Sequence, residues 1–484
     1  MQQSVSRTVL RLTATLVVIF AGTVARAQTA EPIYSFQGGR VGDPYDGAAP
    51  EAPLTLGRDG TFYGTTSLGG TDALCNDGDG DSLTCGTVFQ LKPPTENGKP
   101  WTESIIQNFG PDQPGGYFPW GSGLVLDAAG NLYGINPYAG IGNCGGLDYF
   151  PCGAVFELIR PEDGEGLWTW NIVHVFQPKN DGNYPWPGGL VFDSAGNLYG
   201  TTAEGGIGDL DGGTVFRLAP PASGSGPWTE TVLYSFCPKP NCADGVSPEA
   251  SIVMDGKGDL FSTTLYGGTG SCESGCGTVF ELSPPRTGGG SWTETALYSF
   301  QGGSDGFYPN GVIFGRDGSL YGTTQQGGGD DCAQNIWPTC GVIFRLAPPA
   351  TKGGTWTESV LYRFRGGSDG SYPLGNLVSD AQGRLYGTTE HGAGVCAPRG
   401  CGTVFGLAQR DGTWEEKTIY RFGSHAALFD YDIPVGYAPQ AGLIIGKDGH
   451  LYGTASAGGL SGGASNCAGG NENFPCGTVF EIIK

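Results

Sequence analysis

Basic residues are scarce in this 484-residue chain: 25 Lys and Arg stand against 47 Asp and Glu, a formal net charge of −22. A surface of that sign repels phosphate backbones and anionic lipid, so no nucleic-acid partner is expected. Histidine is scarcer still, with 4 in the whole chain. That is too few to complete a series of zinc sites with the cysteines. Apart from one N-terminal run, no stretch approaches the roughly 18 apolar residues that a spanning helix needs, and no membrane insertion is expected. No segment keeps a helical periodicity. The phosphate loop and the His-Glu-x-x-His helix are missing. Gly-x-Ser-x-Gly (as at Gly302 to Gly306 and Gly366 to Gly370) and Gly-x-Gly-x-x-Gly (Gly140 to Gly145) occur only as strings in Gly-rich loops with no helical pattern after them. Serine hydrolase, kinase, Rossmann and zincin readings therefore have no support.

What the chain does have is glycine (89), proline (33) and aromatic side chains at 11%. That much Gly and Pro alone would suit disorder, but the aromatics can bury a large core, and the glycines then mark turns. Arg7 and Arg11 precede an apolar run from Leu12 to Val24, and Ala25-Arg26-Ala27 follows as a small-x-small site. This is the layout of a secretory signal peptide over residues 1–27, cut near Ala27. Residues 28–484 are then one secreted domain, extracellular or periplasmic. No Cys follows the run, so a lipid anchor is not expected.

Export permits disulfides. The 14 Cys fall into local pairs: Cys75/Cys85, Cys144/Cys152, Cys237/Cys242, Cys272/Cys276, Cys332/Cys340, Cys396/Cys401 and Cys467/Cys476. All but Cys237/Cys242 occupy one place in a repeat, which unpaired thiols would not do. Closing each short loop contributes roughly 2–3 kcal/mol.

The repeat decides the fold. Asn197-Leu198-Tyr199-Gly200-Thr201-Thr202 recurs with its aromatic at Tyr63, Tyr133, Tyr199, Phe261, Tyr321, Tyr386 and Tyr452. A Gly-rich loop and a Gly-Thr-Val-Phe strand follow, ending in Phe89, Phe156, Phe216, Phe280, Phe344, Phe405 and Phe480. Then come Trp-Thr-Glu and a Leu-Tyr-Ser-Phe strand, as from Trp292 to Phe300, an Asp-Gly turn, an aromatic-Pro pair and a short apolar strand. Four short strands repeated seven times predict an all-β, seven-bladed β-propeller with four antiparallel strands per blade. The apolar strands, such as Leu124 to Leu126, belong innermost with both faces buried. Ile33-Tyr34-Ser35-Phe36 opens the mature chain and supplies the strand that the last repeat lacks, closing the ring.

Leu-Tyr-Gly-Thr-Thr-x-x-Gly-Gly, Cys-Gly-Thr-Val-Phe and Gly-Ser-Asp-Gly-x-Tyr-Pro together resemble the GloVer tandem-repeat family of bacterial exported proteins. The resemblance spans essentially the whole mature chain in seven imperfect copies. It implies an extracellular repeat protein, often with a C-terminal sorting signal, and no established activity. This sequence departs from anchored members by stopping at Lys484, inside the last repeat.

Most polar residues repeat and read as scaffold. Asp181, Asp244, Asp305 and Asp369 belong to the Asp-Gly turn, while Glu103, Glu230, Glu294, Glu358 and Glu416 follow the hairpin Trp. Departures from the repeat are more informative. Just after the recurring Pro stand Glu51, Trp120, Trp186, Glu249, Asn310, Leu374 and Gln440. In a propeller these seven side chains ring one mouth of the axial channel. Aromatic faces stack on sugar rings and amides bond hydroxyls, so Trp120, Trp186, Asn310 and Gln440 are the candidate ligand-binding residues, for a glycan or other surface polymer. The plainer alternative leaves them as loop residues, with the Trp packed on Tyr184 or Phe118. Glu51 and Glu249, the only carboxylates in the ring, are weak candidates for general acid and base, since blades one and four lie nearly opposite.

Asn76 to Asp81 sets Asp77, Asp79 and Asp81 at alternate positions, a spacing that suits Ca²⁺, the one cofactor considered. Ser82 and Val88 stand where an EF-hand needs Gly and Glu, and a solvated acidic loop is the alternative. His174 takes a Tyr position of its strand, and His391, in a Gly-rich loop, suits an exposed position. The leading expectation is a monomeric, non-catalytic extracellular binding or scaffold protein. The alternative is a polysaccharide hydrolase or lyase at the channel mouth, which acidic groups with displaced pKa values there would favour.

Overall fold

A computed structural model describes residues 29–38, 46–70, 74–76, 82–96, 98–110, 116, 119–121, 123–140, 152–162, 164, 168–177, 181–186, 188–206, 211–222, 224, 226–286, 290–329, 340–351, 353–394, 396, 399–423, 434–459 and 476–483. Seven four-stranded antiparallel sheets form the blades of a β-propeller. Blade 1 runs outward through Thr55–Leu56, Phe62–Thr66, Thr87–Lys92 and Thr102–Asn108. Blades 2 to 6 repeat that order along the chain. In blade 7 the outermost strand is Thr29–Ser35, paired antiparallel with Thr478–Ile483, so the expected closure by the N-terminal strand is observed.

The repeat motif reads directly as packing. Gly200 lies opposite Phe216 on the neighbouring strand, and a Cβ there would come within 2.5 Å of the ring. The Gly of Leu-Tyr-Gly-Thr-Thr therefore makes room for the Phe of Gly-Thr-Val-Phe, which is fully buried at every blade. The second Thr of the first motif meets the Thr of the second: Thr66 and Thr87 hydroxyls are 2.8 Å apart, and Thr202 and Thr214 2.9 Å. Each pair gives two buried polar groups partners in one another.

The core is divided among the blade interfaces. Val125 of the inner strand Val125–Leu126 packs into the cluster shared with blade 3, and Leu126 into the one shared with blade 1. Alternate residues thus face different neighbours, which is why these strands are apolar without alternation. They are shorter than the sequence suggests, two residues in six of the blades. The repeated Trp are structural: Trp101 stacks on Phe62 at 5.1 Å, and Trp168, Trp228 and Trp414 meet Tyr63, Tyr133 and Tyr321 of the preceding blade edge-on.

Three predicted disulfides are formed by described residues, Cys237–Cys242, Cys272–Cys276 and Cys396–Cys401. Cys85, Cys152, Cys340 and Cys476 are disulfide-bonded as well. The side chains expected opposite them, Cys75, Cys144, Cys332 and Cys467, lie outside the described residues.

Candidate functional site

Six residues of the predicted mouth ring are delivered by loops with an uncommon backbone, and Phe118, the residue at that place before Trp120, lies outside the described residues. The residue before the recurring Pro has a left-handed φ: 53° at Ala49, 50° at Tyr184, 55° at Ser247, 59° at Tyr308, 60° at Tyr372 and 54° at Ala438. Residues before proline ordinarily stay extended, and side chains at positive φ cost on the order of 1 kcal/mol or more. A hydrogen bond from the preceding blade holds the strain. The N–H of Tyr184 donates to Cys152 O (3.1 Å), that of Tyr308 to Cys276 O (3.1 Å) and that of Ala438 to Cys401 O (2.9 Å). The Gly after each of these Cys then receives the Pro. A Cβ on Gly277, itself at φ 90°, would sit 2.5 Å from Pro309 Cδ. Cys-Gly-Thr on one blade and aromatic-Pro on the next are thus two halves of one joint, which fixes the mouth residue. Gly277→Ala is expected to cost about 2–4 kcal/mol, read as a lowered denaturation midpoint, because both the φ and the space are unsuited to a side chain.

Glu51, Trp120, Trp186, Glu249, Asn310, Leu374 and Gln440 all line one cavity of about 480 Å³. Leu377, Val378 and Leu443, at the inner strands of blades 6 and 7, share its wall, and Asn376 Nδ2 donates to Ser251 Oγ (3.1 Å) between blades 6 and 4. The tryptophans sit at one side, with ring centroids 6.5 Å apart and planes at 69°. Trp120 is 45% exposed, the only large hydrophobic side chain so open among the described residues. Its ring also meets Tyr138 edge-on at 6.3 Å, and Phe118, the packing partner in the plainer alternative, lies outside the described residues.

The other side is polar and braced. Asn310 Nδ2 donates to Thr323 Oγ1 (2.9 Å) and Pro373 O (2.6 Å), while its Oδ1 accepts from Gln325 Nε2 (3.2 Å). Gln325 Oε1 accepts in turn from Tyr372 (3.1 Å), whose ring stacks on His391 at 5.2 Å. Gln440 Nε2 donates to Glu390 Oε1 (3.0 Å). These bonds hold the amides in single orientations, as a directional site requires. His391 is 7% exposed, not open as its loop suggested, because Tyr372 covers it.

Both ring carboxyls are pushed up to about 7. For Glu51 the cause is burial, with the Glu390 charge adding to it and a hydroxyl bond from Ser67 (2.5 Å) opposing. For Glu249 it is burial and then the Glu204 charge. A carboxyl crowded by protein and faced by another carboxylate holds its proton. His391 is held below its ordinary value, chiefly by burial.

Bracing residues such as Ser67, Gln325 and Glu390 were missed in the sequence. All follow the Thr-Thr pair directly, and that position varies between repeats as the ring position does. Asp77, Asp79 and Asp81 lie outside the described residues. Elsewhere, Asp448, His450 and Glu481 converge, with His450 Nδ1 2.5 Å from Glu481 Oε1, and Tyr452 donates to both carboxylates. His174 keeps the role of the Tyr it replaces: its Nε2 meets Asp181 Oδ2 at 3.1 Å, as Tyr298 meets Asp305 at 2.8 Å.

The blades and this cavity define a seven-bladed β-propeller with a small-molecule-sized chamber to which all seven blades contribute. The Gloeobacter/Verrucomicrobia repeat matches over residues 14–271, 149–394 and 229–467, and the chain belongs to that family. No curated protein matches it. Among solved structures it is similar to a protein of unknown function from Dyadobacter fermentans, at 14% identity over 80% of this chain and 97% of that one, TM-score 0.37. It is also similar to the PQQ-bound aldose sugar dehydrogenase of Streptomyces coelicolor (14%, 81% and 98%, TM-score 0.39). A gluconolactonase from Xanthomonas campestris matches at 14% over 73% of this chain and 82% of its own, TM-score 0.35. At such values the likenesses carry nothing about activity.

Proposed function

We propose that this is a secreted carbohydrate-binding propeller whose channel mouth holds a glycan. The observation that carries the reading is the Trp120–Trp186 pair opening onto a cavity whose far side presents the braced amides of Asn310 and Gln440. Indole faces take the apolar faces of a sugar ring, and fixed amides give its hydroxyls directional partners. Strained, over-determined loops under six of the ring residues support the same reading, since such strain gathers at ligand clamps. Disulfides through the repeat, and the apolar run before Ala27, support export.

Trp120→Ala combined with Trp186→Ala is expected to weaken glycan binding by on the order of 100-fold while leaving the melting temperature nearly unchanged. Isothermal calorimetry against the oligosaccharide found in a polysaccharide panel reads the first, and a thermal scan the second. Retained affinity in the double variant would reject this mouth.

A polysaccharide hydrolase or lyase is the second reading, and the raised carboxyls of Glu51 and Glu249 favour it. A protonated carboxyl near neutrality can serve as a general acid. Gel filtration of polysaccharides incubated with the protein separates the two readings. Shortened polymer assigns catalysis, and intact polymer that co-elutes with the protein assigns binding.

A further inference from the structure

We infer that the channel mouth recognises organic ammonium groups, so that its saccharide is built of amino sugars with free amines, stacked on the indoles of Trp120 and Trp186 and paired separately at the carboxyls of Glu51 and Glu249. The inference rests on the reading of the mouth as a glycan site and names the class of sugar.

The charges on the wall carry it. Among the described residues that line the cavity, Glu51 and Glu249 are the only ionisable ones of either sign that reach it; no Lys, Arg or His does. An anionic sugar would meet two carboxyls and no counter-charge, which excludes uronates and sulfated sugars. The groups packed behind make the wall more negative. Glu390 stands beside Glu51, and Glu204 beside Glu249 with Asp211 near it. Tyr266, next to Glu249, is held in its neutral form by burial. Behind the ring, His391, which burial keeps neutral, has Nε2 3.7 Å from Glu390, and Arg399 Nη1 lies 3.4 Å from that same nitrogen. A carboxyl buried without a cation ordinarily holds its proton instead, and both ring carboxyls are displaced in that direction.

An ammonium group replaces those protons. At either carboxylate it offers N–H donors, and beside the indoles a positive charge, which the ring quadrupole attracts. A neutral sugar stacks on the same indoles but leaves the carboxyls protonated. A cationic sugar therefore gains both sets of contacts and expels protons as it binds.

The test is calorimetry of the mature chain at pH 6.5 with three hexamers: glucosamine, N-acetylglucosamine and glucose. Tetramethylammonium, which carries the charge without N–H donors, is the non-sugar probe of the indole faces. The glucosamine hexamer is expected to bind at least about tenfold tighter than the other two. Its apparent enthalpy is expected to vary with the ionisation heat of the buffer, because the carboxyls lose protons. Glu51→Gln with Glu249→Gln should abolish the preference and the proton release while sparing the glucose hexamer, and Trp120→Ala should weaken all three. A preference that persists in the Gln double variant is bulk attraction to an acidic protein and overturns the assignment. Equal or tighter binding of the neutral hexamers overturns it too, and leaves the glycan site standing. Tetramethylammonium bound with no hexamer bound would reject the sugar and keep the cation, and failure of every probe would reject both.

Discussion

Removing residues 28–37 is expected to lower the melting temperature by on the order of 10 °C. Thr29 to Ser35 runs antiparallel to the last strand, with Thr29 opposite Ile483 and Ser35 opposite Thr478. Its removal leaves Thr478–Ile483 as a bare edge in the blade that must close the ring. Phe36 follows, fully buried, edge-on to Phe89 of blade 1 at 5.1 Å, and its N–H donates to Gly477 O (3.1 Å). Tyr34 also donates to Asp46 (2.5 Å), tying the strand to the Asp-Gly turn that follows it. The single variant Phe36→Ala, which keeps the strand, should cost about 3–5 kcal/mol. An unchanged melting temperature in both variants would show that blade 7 is held without its N-terminal strand.

Stability should be greatest at mildly acidic pH and fall by on the order of 5 °C towards pH 9. At successive blade interfaces a Glu of the outer strand faces an Asp of the neighbouring turn. Burial, then the charge of Asp46, pushes Glu103 up to about 8. Burial and Asp181 push Glu230 up to about 7, and burial and Asp305 do the same for Glu358. One buried oxygen of each of these Glu has no hydrogen-bond partner, so ionising it costs the folded state alone. With folded pKa values above the ordinary 4.5, their contribution is complete below about pH 4.5 and is lost as pH rises through 7 to 8. The turn residues Asp59, Asp193, Asp317 and Asp380 act in the opposite sense. Burial raises them, but hydrogen bonds from their own turns and nearby side chains lower them further. Their contribution is lost as pH falls through the acid range below the ordinary 3.8. Melting curves from pH 3 to 9 should therefore peak near pH 5. Glu103→Gln, Glu230→Gln and Glu358→Gln together should flatten the alkaline side; a maximum at pH 8 would refute the assignment.

The blades were legible because each recurs. Leu-Tyr-Gly-Thr-Thr and Cys-Gly-Thr-Val-Phe are local strands whose Gly, Thr and Phe meet across adjacent strands, so one repeat contains most of its own packing instructions. The mouth ring was legible for the opposite reason. Glu51, Trp120, Trp186 and Glu249 break a pattern that the scaffold otherwise enforces, and a position free to vary beside the axis stands out. The bracing groups were not, because their contacts cross between elements: Gln440 meets Glu390 from the neighbouring blade, and Asn310 bonds Pro373 O, 63 positions away. The exposure of His391 was misjudged on the same ground, since its loop is Gly-rich but Tyr372 closes over it.

Sequence alone determined the architecture, the strand that closes it, the place of the cysteines and which seven residues gather at the mouth, because all of these follow from the period of the repeat. The tertiary structure decided the electrostatics and the geometry within that ring. It set both carboxyls in a wall without cations, gave Trp120 its open face and braced the amides of Asn310 and Gln440. Burial and cross-blade hydrogen bonding belong to the closed ring as a whole, and no single repeat encodes them.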